Sequence, residues 1–85
     1  MPTRDAVVGA SVGLHARPAS TFVQAVASTG AHVLLTFGEK TVNAASILGV
    51  LSLGVPHRAT VTLASDDDRV LGALVTLLES DLEMQ

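Results

Sequence analysis

The sequence predicts an α+β fold, an antiparallel sheet with helices packed on one face, and three observations predict it. Two stretches, beginning at Ala19 and at Val70, repeat apolar residues at the spacing of one helix face. Four shorter stretches read as strands, and two of them flank Gly38-Glu39, a two-residue hairpin signal. The pieces interleave within only 85 residues. A hairpin plus interleaved helices in so short a chain favours an antiparallel sheet covered on one side.

Taken in order, Arg4 to Val8 is an opening strand stopped by Gly9. Ala19, Phe22, Val23 and Val26 follow the i, i+3, i+4, i+7 pattern, which predicts a helix from about Ala16 to Ser28. Pro18 suits its first turn, and Gly30 suits the position just past its end. Val33, Leu35 and Phe37 alternate with His32, Leu34 and Thr36 as a strand, and Gly38-Glu39 returns the chain through Lys40-Thr41-Val42. Ser46 stands before Ile47 to Leu53, with Gly54 and Pro56 beyond: a cap, a short helix and two stops. Thr60 to Leu63 alternates again as the last strand. Asp66-Asp67-Asp68 opens a final helix, Val70 to about Leu82, whose apolar face is Val70, Leu71, Leu74, Leu77 and Leu78.

Composition bounds the function. Five Lys and Arg against eight Asp and Glu give a net charge of −3, and aromatics are 2% of a chain that is 48% hydrophobic. Such a chain has neither the basic surface nor the stacking platforms of a nucleic-acid binder. With no Cys there is no disulfide scaffold and no thiolate metal site. The most apolar stretch, Ala44 to Val55, is interrupted by Ser46, Gly49, Ser52 and Gly54 and falls short of the ~20 residues of a membrane-spanning helix. Met1 to Asp5 contains no basic region leading into an apolar run. The expectation is a single domain, residues 1–85, that is monomeric and cytoplasmic and does not insert into a membrane.

Chemistry concentrates in Gly13-Leu14-His15-Ala16-Arg17-Pro18-Ala19-Ser20. A histidine at a helix entrance sits beside backbone N–H groups that have no partner within the helix, and an arginine two residues on adds a planar fork suited to phosphate. By spacing alone, the plainer reading is a surface histidine beside a cap with Arg17 solvated.

The segment Gly13 to Ala19 resembles the active-site signature of the HPr family, the histidine-containing phosphocarriers of the bacterial phosphoenolpyruvate-dependent sugar phosphotransferase system. Lys40-Thr41-Val42-Asn43-Ala44-Ala45-Ser46-Ile47-Leu48-Gly49-Val50-Leu51-Ser52-Leu53-Gly54 resembles the family's second signature, around its regulatory serine. The resemblance spans essentially the whole chain and implies an open-faced β-sandwich, a four-stranded antiparallel sheet with three helices on one face. It implies that His15 accepts a phosphoryl group on Nδ1 from enzyme I and passes it to enzyme IIA. Arg17 is then the phosphate-stabilising partner, and Arg17, Pro18 and Ala19 surround the phosphate. No metal or cofactor is expected of this subunit.

Ser46 reads as an N-cap, and the resemblance adds a regulatory phosphorylation by an HPr kinase/phosphorylase, although Ala44-Ala45 replaces the Leu-Lys common before that serine. The segment from Ile47 is apolar almost all round, so part of it should face solvent. The expected partner-binding residues are Ala16, Phe22, Ile47, Leu48 and Leu51, with Leu48 and Leu51 exposed, Val50 inside, and Arg17 and Lys40 supplying charge at the edge. His15, His32 and His57 lack the spacing of a zinc site, and the Asp66 to Asp68 run lacks that of a calcium loop. Three other readings fit parts of the sequence. They are a carrier for a nitrogen-regulatory branch, a non-catalytic binding module of the same fold, and an acyl carrier on Ser46. The last is disfavoured because Ala45, not Asp, precedes that serine.

Overall fold

In the computed structural model, which describes residues 1–80, the elements run β1 (Thr3–Val7), α1 (Ala16–Thr29), β2 (Leu34–Phe37), β3 (Lys40–Asn43), α2 (Ile47–Ser52), β4 (Thr60–Ala64) and α3 (Asp68–Glu79). The strands form one antiparallel sheet in the order β1-β4-β2-β3. The α+β class and the order of elements agree with the sequence reading, and its element boundaries lie within about two residues of those observed. The predicted end of the last helix, Leu82, lies outside the described residues; α3 ends at Glu79, with Ser80 as its cap.

Strand alternation divides the sheet into two unlike faces. Ala6, Leu35, Val61 and Leu63 point inward and are fully buried, with Val8 and Val33 continuing the same layer. Against them α1 lays Phe22 and Val26, α2 lays Val50, and α3 lays Leu71, Leu74 and Leu78. On the other face Asp5, Thr62, Thr36 and Thr41 stand in register, one from each strand. The Thr62 hydroxyl donates to Asp5 Oδ1 at 2.8 Å, and the Thr36 and Thr41 hydroxyls bond each other at 2.7 Å. No element among the described residues covers this row, and β-branched hydroxyl side chains suit a strand surface left in water.

The hairpin forms as predicted. Phe37 pairs with Lys40 across a two-residue turn, and Gly38 takes φ 63° in its first central position. Asp67 caps α3, its carboxylate accepting from the Arg69 and Val70 amides at 3.0 and 3.3 Å. At the same end Arg4 forms an exposed ion pair with Asp68 at 2.8 Å.

The antiparallel register also orients the molecule. Val7 at the end of β1 faces Thr60 at the start of β4, so the loop after β1 and the turn before β4 share one end. The start of α3 lies at the other. No helix among the described residues is long and apolar enough to cross a membrane.

Candidate functional site

Residues 8–14 form the loop between β1 and α1, and their backbone is pinned on both sides. Gly9 N–H donates to Leu78 at 2.8 Å, Gly13 N–H to Ala10 at 2.9 Å, and Leu14 N–H to Val55 at 2.9 Å. Gly13 sits at φ 76°, and a Cβ there would collide with the Val55 carbonyl oxygen and lie 2.9 Å from Pro56 Cα. Only glycine lets the chain pass this close in this conformation. Leu14 buries its side chain in the core, and the next residue, His15, is exposed.

His15 is the N-cap of α1, extended at φ −110° and ψ 171°, and its imidazole makes no capping hydrogen bond. The ring is therefore held by its backbone and left unengaged. Beyond it, Ala16 and Arg17 are the first two helical residues, and neither amide donates to an acceptor among the described residues. The Arg17 guanidinium is exposed, with no ion pair or hydrogen bond among those residues. His15, Ala16, Arg17, Pro18 and Val12 line one open concavity of about 290 Å³.

The helix register corrects two expectations for the phosphate site. Pro18 is buried and has no N–H to offer, and the Ala19 amide is already spent on the His15 carbonyl at 2.9 Å. The donors left unspent here among the described residues are the Ala16 and Arg17 amides and the Arg17 guanidinium. Pro18 and Ala19 instead anchor the first turn in the core.

Two expectations for the docking residues are also corrected. Phe22 is fully buried and cannot meet a partner, because the spacing that makes α1 amphipathic points it at the sheet. Leu51 is half-buried against the core rather than exposed, while Leu48 is 78% exposed, Ile47 38% and Val50 0%. Val12, 56% exposed, escaped the sequence reading: a lone valine between Ser11 and Gly13 gives no periodic signal. Ala16 is exposed as expected, and Lys40 is exposed beside the hairpin turn, on the edge strand β3.

Ser46 caps α2. Its Oγ accepts from the Gly49 amide at 3.1 Å, and its own amide donates to Asn43 at 3.0 Å. The side chain is half-buried.

A larger concavity, about 580 Å³, opens at the far end between Ala31-His32 and Ser65 to Arg69. Of its carboxylates, Asp67 caps α3 and Asp68 pairs with Arg4, and no group of three or more His, Asp or Glu among the described residues is arranged to hold a metal. The smaller concavity, where an unengaged ring meets free donors, is the one with chemical potential.

Comparison with known proteins bears on the family and the fold. Residues 2–80 match the family model described as the PTS HPr component phosphorylation site. The chain is 45% identical over 78 residues to the phosphocarrier protein HPr of Streptomyces coelicolor, an alignment covering 91% of this chain and 84% of the relative. Among solved structures, HPr-C-His from Thermoanaerobacter tengcongensis superposes with a TM-score of 0.89 at 35% identity, covering 100% of this chain and 99% of that one. The phosphocarrier protein HPr of Bacillus anthracis superposes with a TM-score of 0.84 at 34% identity, covering 91% and 95%.

Proposed function

This chain belongs to the HPr family of phosphocarriers of the phosphotransferase system, and we propose on that premise that it accepts a phosphoryl group on His15 from enzyme I and donates it to enzyme IIA proteins in carbohydrate uptake. The observation that carries the reading is the unengaged imidazole at the mouth of α1, sharing one concavity with two free amides and an unpaired guanidinium.

The reaction asks little more of the chain than this. Phosphoryl transfer depends on positioning and on stabilising charge around the equatorial oxygens. With its proton on Nε2, the imidazole presents the Nδ1 lone pair to phosphorus. A bond forms from Nδ1 to phosphorus as the donor's N–P bond breaks, and the bonding pair returns to the donor's ring. The Ala16 and Arg17 amides and the positive end of α1 then face the phosphate oxygens, and the guanidinium clamps them. In the donation step the acceptor's ring nitrogen, approaching the exposed site from solvent, forms a new bond to phosphorus as the Nδ1–P bond breaks and its electron pair returns to the His15 ring. The exposed apolar side chains Val12, Ile47 and Leu48, with Ala16, provide the docking surface in this reading.

The test is incubation with enzyme I, phosphoenolpyruvate and magnesium, followed by residue mapping. A one-phosphate mass gain on His15, labile in acid, stable in base and absent in His15→Ala, is expected. An unmodified His15 overturns the proposal. Subsequent loss of the label to an enzyme IIA distinguishes the carrier from a binding module.

A further inference from the structure

Of the described residues other than glycine, Arg58 is the one with a positive φ, 69°. It occupies the third position of a turn closed by Ala59 N–H donating to Pro56 at 3.2 Å, a type II geometry that ordinarily calls for glycine or asparagine there. A long side chain in the left-handed region is disfavoured, so the fold has to hold it. It does so through the Arg58 amide, which donates to Val8 at 2.9 Å, and the Val8 amide, which donates to Ala59 at 2.9 Å.

Those two bonds fix the turn to the loop that carries His15. Pro56, two residues before Arg58, abuts Gly13, two residues before His15. At no more than about 3.6 Å per residue, each two-residue span is roughly 7 Å at most. Both side chains therefore fit within a docking footprint of about 800 Å².

The other cations are placed differently. Arg4 is committed to Asp68 and Arg69 follows Asp66 to Asp68 at the far end, while Lys40, although its register places it at the His15 end, stands on the edge strand β3, two strands from β4. Arg58 is exposed and has no ion pair or side-chain hydrogen bond among the described residues. In a chain of net charge −3, Arg17 and Arg58 are thus, among the described residues, the unpaired guanidinium groups at the His15 end.

We propose that Arg58 is a docking residue for an acidic patch on the protein that delivers the phosphoryl group, held in its left-handed turn so that its charge meets that patch while His15 meets the donor's phosphohistidine. This rests on the carrier function proposed above. Charge complementarity at the rim of an interface acts mainly on encounter and is screened by salt. Arg58 is accordingly a specificity residue for transfer and makes no contact with the reacting atoms.

The experiment compares wild type, Arg58→Gly, Arg58→Lys and Arg69→Gln in enzyme I-dependent phosphorylation at low and high salt, with thermal unfolding alongside. Arg58→Gly removes the charge while suiting the backbone, so its melting temperature should rise. Its KM for transfer should rise about tenfold at low salt with kcat within about twofold, and the difference should vanish near 0.5 M salt. Arg58→Lys should keep most of the wild-type KM, and Arg69→Gln, the same charge change at the far end, should leave it unaltered. An Arg58→Gly variant with wild-type KM and salt dependence overturns this proposal alone, as does an equal shift in Arg69→Gln. Failure of the wild type to be phosphorylated overturns the carrier function itself.

Discussion

The Leu14 amide donates to the Val55 carbonyl at 2.9 Å, so the loop that presents His15 is fastened to the segment leaving α2. That backbone contact ties the His15 loop to the segment that follows the exposed Ile47 and Leu48, and Gly13 makes the approach possible.

Gly13→Ala should destabilise the fold by at least about 2 kcal/mol, from left-handed strain and from collision with Val55. Urea unfolding measures the loss. Phosphoryl acceptance should fall as well, because relief of the collision moves His15. A stability within 0.5 kcal/mol of wild type would show that the close approach is not needed.

Arg17→Gln should slow phosphoryl acceptance on His15 by about 10²-fold, the scale of removing one preorganised charge-stabilising donor. Arg17→Lys should recover part of the rate through its charge but not the two-pronged geometry. The Arg17 side chain is exposed, so both variants should unfold at the wild-type urea midpoint. Rapid-quench phosphorylation is the measurement.

Phe22→Ala and Leu48→Ala should separate core from surface. The first empties a fully buried site and should cost about 3–5 kcal/mol. The second touches a side chain that is 78% exposed, and should change stability by less than about 0.5 kcal/mol while weakening transfer with enzyme I. Leu48→Ala with unimpaired transfer would remove that residue from the docking surface.

Ser46→Ala should cost about 1 kcal/mol through loss of the cap to Gly49, whereas Ser46→Asp keeps an acceptor there and should cost less. Incubation with an HPr kinase/phosphorylase and ATP tests the regulatory role separately. A phosphate on Ser46 is expected; absence of a mass gain would leave this serine as a cap alone.

Much of this was legible beforehand because local chemistry and global fold agree. The Gly38-Glu39 turn admits only a hairpin, and the Ala19 to Val26 spacing only a helix with one buried face. Spacing alone left His15 as a surface histidine beside a cap and Arg17 as a solvated arginine; what singled them out was the resemblance of Gly13 to Ala19 to a family signature. The site was not legible where register decides. Which amides at the start of α1 stay free depends on Ala19 already bonding His15, and six apolar-rich residues of α2 give no preferred face until packed. The left-handed Arg58 contradicts the usual preference of its turn, so nothing local announces it.

The row Asp5, Thr62, Thr36, Thr41 has a consequence for traffic through the molecule. That back surface carries hydroxyls and a carboxylate but no exposed apolar side chain in the row, so in the proposed carrier both donor and acceptor would dock on the ground around His15. On that reading the two would take turns. Throughput then depends on how quickly each visitor departs, and a mutation that tightened either complex would jam the relay.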